Sequence, residues 1–288
     1  MFQYAAARAV AERVDAELVL DRWSGFARDR EYRRKYELTP FAIRGRPATW
    51  WEQWPIWCYR FQEKFFSGNN NSERGLRIER RWYGAFVSDD NQCFYPELFE
   101  QAREGAYLMG YYQSPLYFEG IADQIRQELM PPIPTDQRFL ELGTRLRSQP
   151  TVAVGIRLYE ESKDPDAHAR EGKQKSMAEI RAALEGLRQR HPRLKVALFC
   201  THRAKCLDKL CLPHDTAFVT HEESFQEPVS SLWLLTQCRH HLFNNSSFYW
   251  WGAWLSETHH GGAGTGQEIW MSDSFINPAV NSFSWKTF

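Results

Sequence analysis

Gln237-Cys-Arg-His-His-Leu-Phe-Asn-Asn-Ser-Ser-Phe-Tyr-Trp-Trp-Gly-Ala-Trp-Leu255 is the stretch on which the reading of this chain turns. An apolar-basic run gives way to small polar residues and then to a helix-compatible aromatic segment, the order of a strand, a turn and a helix. The first turn of such a helix carries backbone N–H groups without internal partners. Together with the helix dipole they make a ready site for phosphate. Ser246 and Ser247 are small enough to let an anion approach, and their hydroxyls add donors. A serine cap over a tryptophan-rich core accounts for the same residues without a ligand.

Outward from this unit, the second half of the chain alternates regularly. Strands are expected at 151–156, 194–199, 217–220, 241–243 and 269–271, and helices at 174–190, 203–210 and 230–237. Alternation of this kind predicts an α/β fold with a parallel sheet and helices on both faces. Ligands in such sheets bind beyond the carboxyl ends of the strands. Three segments fall there: 157–161, 200–203 and 245–248. The sequence holds no internal repeat.

The first half is less regular. Residues 1–14 read as a helix and 17–21 as a short strand. A helix before any strand suggests that a preceding strand lies outside this sequence. Residues 22–48 are basic and loop-rich. The segment 49–66 carries Trp50, Trp51, Trp54, Trp57, Phe61 and Phe65, largely at helical spacing. Core packing is the expectation for this aromatic stripe, with a membrane surface or an acceptor cleft as alternatives. Residues 106–110 read as a strand, and Ser114-Pro115 as the cap and first position of a helix through Ile125. The Pro-dense Met130-Pro-Pro-Ile-Pro-Thr135 marks the expected boundary between domains 1–133 and 134–288.

Composition limits the function classes. Thirty-six basic residues balance thirty-six acidic ones, and no basic stripe with interleaved aromatics is present, so nucleic acid is not the expected partner. Cys58, Cys93, Cys200, Cys206, Cys211 and Cys238 contain no Cys-x-x-Cys pair and no zinc pattern, so reduced thiols and no metal site are expected. No apolar span of 18 residues and no signal peptide are visible, which predicts a cytoplasmic protein, peripheral at the membrane if the aromatic stripe is exposed.

Asn245-Ser-Ser-Phe-Tyr-Trp-Trp-Gly-Ala-Trp-Leu255 resembles the signature Asn-Ser-[Ser/Thr]-Phe-Ser-Trp-Trp-Gly-Ala-Trp-Leu of the α-1,2-fucosyltransferases, glycosyltransferase family 11. Met1-Phe-Gln-Tyr-Ala5 is similar to the second half of that family's opening Gly-Gly-Leu-Gly-Asn-Gln-Met-Phe-Gln-Tyr-Ala. Leu18-Val-Leu-Asp21, Tyr36-Glu-Leu-Thr-Pro-Phe-Ala-Ile43, Gly110-Tyr-Tyr-Gln-Ser114 with Tyr117-Phe118, and Leu234-Leu-Thr-Gln-Cys-Arg-His240 resemble further family segments, in order. The resemblance implies two Rossmann-like halves with a cleft between them, a GT-B-like arrangement whose N-terminal half lacks its first strand here. It implies an inverting, metal-independent glycosyltransferase without a cofactor, moving fucose from GDP-fucose to a hydroxyl of a glycan acceptor. Carbohydrate metabolism, in particular polysaccharide biosynthesis, is the implied setting. Arg157, matching an Arg of the family's His-x-Arg-Arg-Gly-Asp, would meet the diphosphate with its planar fork. Thr201, His202, Asn245, Ser246, Ser247 and Phe248 would complete the donor side, and Tyr112 and Gln113 would line the acceptor side.

Departures from the pattern sit in the chemistry. Gly155-Ile-Arg-Leu-Tyr-Glu160 stands for His-x-Arg-Arg-Gly-Asp, so Leu158 removes one fixed charge and Glu160 becomes the candidate general base. Phe199-Cys-Thr-His202 stands where relatives tend to have Phe-Ser-Asp-Asp, and Ser231 replaces an Asp common on the preceding helix. A neutral His carries no negative charge for guanine. The altered blocks leave two alternatives: a transferase using a different nucleotide sugar, or a catalytically impaired member that binds glycan or nucleotide.

Overall fold

The computed structural model describes residues 1–26, 35–65, 83–89, 93–159, 175–275, 280 and 285–288, with the side chains of 59–65 and 263 excepted. The chain divides into two compact units, Met1–Glu128 and Leu129–Phe288.

The second unit is built on a parallel sheet of six strands. In chain order these are β5 (Thr151–Gly155), β6 (Lys195–Phe199), β7 (Ala217–Val219), β8 (His240–Phe243), β9 (Ile269–Met271) and β10 (Lys286–Thr287). Their spatial order is β10-β9-β8-β5-β6-β7. Every pairing is parallel. β5 lies at the middle and is buried along its whole length, as expected of a parallel strand covered on both faces. The chain runs from β5 outward to β6 and β7, then returns to lay β8 on the other side of β5. The strand order therefore reverses between β5 and β8, the topological switch point at which open α/β sheets hold ligands.

Helix α6 (Met177–Arg190) connects β5 to β6 and starts with a reciprocal capping box between Ser176 and Glu179. Its Ile180, Leu184 and Leu187 pack with Val152, Val154, Val196 and Leu198 in one cluster. Helix α7 (Pro228–Gln237) has Pro at its first position, and the Glu227 carboxylate accepts from the N–H groups of Val229 and Ser230. Helix α8 (Ser247–His260) packs against α7, and a Cβ on Gly252 would lie 2.6 Å from Leu235 Cβ. The Gly of the Trp-Trp-Gly-Ala signature is thus a packing requirement between two helices. Helix α5 (Gln137–Arg147), capped by Asp136, was not foreseen from the sequence; it leans on α7 through Gly143, which faces Trp233.

Among the described residues, the strands of the first unit form two parallel pairs, β1 (Val19–Leu20) with β2 (Arg46–Pro47), and β3 (Ala85–Ser88) with β4 (Ala106–Met109). Helix α1 (Phe2–Arg13) buries Phe2, Tyr4, Ala5, Ala6, Ala9 and Val10. It is tied to the end of α4 (Ala122–Leu129), where Glu128 accepts from Tyr4 Oη at 2.6 Å and pairs with Arg8 at 3.3 Å. Both ions of that pair are buried, and they belong to a wider network in which Arg8 also meets Glu12 and Glu128 also meets Arg44. The helix expected from Ser114 is two short 3-10 turns followed by α4, and Ser114 Oγ accepts from Leu116 N at its start. A further short helix, α3 (Leu98–Gln101), precedes β4.

Helix α2 (Trp50–Phe65) corrects the expectation of core packing. Trp50, Trp51, Trp54 and Trp57 are 57, 74, 49 and 37% exposed. The helix turns Pro55 and Ile56 inward instead. Its first turn is fixed by Glu52, which receives two bonds from Arg46 at 2.6 and 2.8 Å and two from Thr49. Helical spacing shows that residues share a face but not which face is covered. Here the polar edge is anchored and the indoles face out.

Candidate active site

β5 and β8 end side by side, and each releases a short segment at its carboxyl end. After β8 comes Asn244, buried, with its N–H on Gly155 O. Its side chain grips the main chain of Arg157 at both ends: Oδ1 accepts from Arg157 N at 2.8 Å, and Nδ2 donates to Arg157 O at 2.9 Å. One amide thereby fixes the direction in which Arg157 leaves the sheet. The guanidinium carbon of Arg157 lies 4.8 Å from the Tyr159 ring centroid. That distance is within cation–π range.

Tyr159 is held firmly. It adopts φ 56°, the left-handed region that favours glycine, and its hydroxyl donates to Asn245 O at 3.0 Å. The position corresponds to the Gly of the family's His-x-Arg-Arg-Gly-Asp. The chain retains the glycine-like backbone there while using the side chain as a strut from the β5 end to the β8 end. Leu158, which replaces the second Arg, packs against the apolar cluster of the sheet. That position contributes burial where the family pattern has charge.

The N-terminus of α8 faces this junction. Ser246 occupies the cap position, and its side chain makes no cap bond. Trp250 N makes the first helical bond, to Ser246 O, so the N–H groups of Ser247, Phe248 and Tyr249 precede the internal ladder. Asn245 and Ser246 are buried, and Ser247 and Phe248 half-buried. Asn245 Nδ2 has no hydrogen-bond partner among the described residues although Asn245 is only 5% exposed. A buried amide donor without a partner costs about 1–3 kcal/mol, which a ligand acceptor would recover. The serine-cap account, by contrast, requires a cap bond that Ser246 does not make.

Two departures from the family pattern compensate each other. Gly155 stands for His, and Tyr249 stands for Ser. A Cβ on Gly155 would sit 2.5 Å from Tyr249 Cγ. The Tyr249 ring thus fills the space in front of Gly155, and its hydroxyl donates to Phe199 O at 3.0 Å and Ile156 O at 3.3 Å.

At the carboxyl end of β6, Thr201 and His202 are exposed. His202 Nδ1 lies 3.0 Å from Glu222 Oε1. Glu223 pairs with Arg203 at 2.7 Å, and the Arg203 guanidinium sits over Phe218. Backbone N–H bonding within its own loop, with Thr220, His202 and Arg203 adding to it, holds the Glu222 carboxyl down at about 2. A carboxylate therefore stands at this corner, supplied from the loop after β7 and not from the β6 end. Ser231 is buried in α7 with its hydroxyl on Phe225 O.

In the first unit, Tyr112 has φ 49° and a buried ring whose hydroxyl donates to Val87 O at 2.8 Å, while its N–H donates to Asp89. Gln113 is half-buried beside it. Gln3, from the opening motif, donates to Gly110 O in the same segment. Glu160 lies outside the described residues.

The residues not singled out from sequence are Asn244, Tyr159, Tyr249 and Glu222. Asn244 was adjacent to the quoted signature, and its doubled Asn at a strand end was the available signal. Tyr159 stands at a glycine position of the family pattern, but its bond to Asn245 O, 86 positions away, leaves no local signal.

An uncapped helix start and an Arg meet at the switch point of a parallel sheet, the place where α/β folds hold ligands. The chain belongs to glycosyl transferase family 11, whose pattern matches residues 92–270, and is a glycosyltransferase of the fucosyltransferase type. No curated protein and no solved structure matches it. Among the described residues, no helix is long and apolar enough to cross a membrane.

Proposed function

We propose that the protein is an inverting, metal-independent transferase that moves fucose from GDP-fucose to a hydroxyl of a glycan acceptor. The observation that carries this reading is the convergence of Arg157, the uncapped start of α8 and the unpartnered Asn245 amide at one strand junction. As the bond between fucose and the β-phosphate breaks, negative charge grows on the departing diphosphate. A guanidinium and a helix N-terminus aimed at that charge stabilise the transition state more than the ground state. Asn244 and Tyr159 supply the preorganisation, since both hold Arg157 before a ligand arrives.

In this proposal Ser246, Ser247 and Phe248 complete the phosphate cradle, and Thr201 and His202 border the nucleoside with Glu222 as its carboxylate. Glu160 is the proposed general base on the acceptor hydroxyl. Tyr112 and Gln113 belong to the acceptor side, in a GT-B-like pairing of two halves. A different nucleotide sugar is the second reading, favoured by Leu158, whose apolar packing leaves one guanidinium fewer for the diphosphate.

The test is binding and turnover across a panel of GDP-sugars. Arg157→Ala is expected to lower kcat by about a hundredfold or more, the loss typical of removing one preorganised charge donor. Full activity in that variant would remove Arg157 from the site. Binding without turnover by any donor would leave only a binding function.

A further inference from the structure

We propose that the exposed tryptophan face of α2 seats the protein on an anionic phospholipid surface. Trp50, Trp51, Trp54 and Trp57 all lie on this helix and are all exposed. Trp23, 42% exposed, stacks on Trp57 with ring centroids 3.7 Å apart and planes 18° from parallel, extending the patch beyond the helix. A single exposed indole is unremarkable, but five in one patch are not. Indole has an apolar body and a polar N–H, and it concentrates where hydrocarbon meets water. A helix with such a face lies in the plane of a bilayer interface.

Charge selects the kind of surface. The chain as a whole is neutral, yet residues 22–48, which lead into α2, contain eight basic and three acidic residues. Arg22 adjoins Trp23 and Lys35 is exposed; Arg44 is exposed but pairs with Glu128, Arg46 pairs with Glu17 and Glu52, and the other four lie outside the described residues. A basic segment that precedes an interfacial aromatic helix in sequence is attracted to anionic headgroups.

A glycan occupant fits less well. A sugar platform pairs an aromatic face with polar groups aimed at hydroxyls. The polar groups flanking this patch are spent locally: Asp21 accepts from Trp23 N, Ser24 N and Tyr107 Oη, Glu52 holds Arg46 and Thr49, and Gln53 Nε2 donates to Ala48 O.

The inference is independent of the donor chemistry, because its test reads partitioning alone. The whole chain is floated with vesicles of phosphatidylcholine, and with vesicles that also carry phosphatidylglycerol. The expected result is capture by the anionic vesicles, weakened by salt, with tryptophan emission quenched by brominated acyl chains in the unsubstituted protein. The double variant Trp51→Ala/Trp54→Ala is expected to lose at least about tenfold in partitioning, since two interfacial side chains are removed. Both residues are exposed, so its thermal unfolding should match the parent. No capture by anionic vesicles, or equal capture of the variant, overturns the proposal. So does a patch-dependent dimer, or glycan-dependent tryptophan quenching, in the absence of vesicle binding.

Discussion

Two tryptophan-rich helices of similar length, α8 in the second unit and α2 in the first, treat their indoles in opposite ways. Trp250, Trp251 and Trp254 of α8 are at most 2% exposed, whereas Trp50, Trp51, Trp54 and Trp57 of α2 are 37–74% exposed. The difference lies in what each helix follows. β8 delivers α8 onto a sheet of six strands and against α7. β2 delivers α2 beside a pair of strands only two residues long. Apolar spacing on a helix becomes core only where a neighbouring layer is wide enough to cover it.

The largest expected effect tests this directly. Trp254→Ala opens a cavity in a fully buried cluster that includes Trp250, stacked at 6.0 Å, and Trp251, edge-on at 5.3 Å. It should cost about 3–5 kcal/mol in urea denaturation. Trp51→Ala removes a side chain that is 74% exposed and should stay within about 0.5 kcal/mol of the parent. Equal losses would mean that α2 is covered in solution and that the contrast is false.

The second effect is the response to acid. His241 is wholly enclosed in β8, and burial, with His260 and His240 adding to it, lowers its pKa from 6.5 to about 3. Burial likewise lowers His240 to about 4, with His191 and Arg239 contributing. The unfolded chain takes up these protons below about pH 6.5 while the folded chain does not, so stability falls as pH drops from there toward 3. By pH 5 the loss from His241 alone is about 2 kcal/mol. In the first unit the Glu52 carboxyl, held down to about 2 by Arg46 and Thr49, contributes stability above about pH 4.5 that is lost only as pH falls toward 2. Denaturation followed at pH 7, 6 and 5 should show destabilisation that His241→Gln reduces. An unchanged pH slope in that variant would move the acid sensitivity elsewhere.

The same contrast explains what was legible in the sequence. β5 and β6 were readable because burial on both faces favours apolar runs, and β8 and α8 because an apolar-basic run, small polar residues and an aromatic segment follow one another. The position of Arg157 beyond β5 followed from the strand's end. Its grip by Asn244 did not, since a bond between residues 87 positions apart depends on which strands become neighbours. Tyr159 and Glu222 were hidden for the same reason: each acts on a segment that reaches it only through the sheet order. α2 was legible as a helix but not in its orientation, because Glu52–Arg46 and the two-residue β1–β2 pair set that and neither leaves a periodic signal.

The smallest effect probes how the donor-side junction is packed. Gly155 and Tyr249 lie on adjoining elements of the second unit, and no corresponding large-for-small exchange is needed where side chains face solvent, as on α2. Gly155→Ala places a methyl about 2.5 Å from the Tyr249 ring, and the ring cannot swing away without losing its bond to Phe199 O. The substitution should therefore cost about 1 kcal/mol or more as overpacking. Tyr249→Ser removes the obstacle, so Gly155→Ala in that background should be close to neutral. The two together should show a coupling of about 1 kcal/mol in a double-mutant cycle. Additive losses would mean that the ring has another place to go and that the two departures from the family pattern are unrelated. Coupling would mean that the β5 end and the start of α8 changed as one unit, leaving Arg157, Asn244 and the uncapped helix start in register.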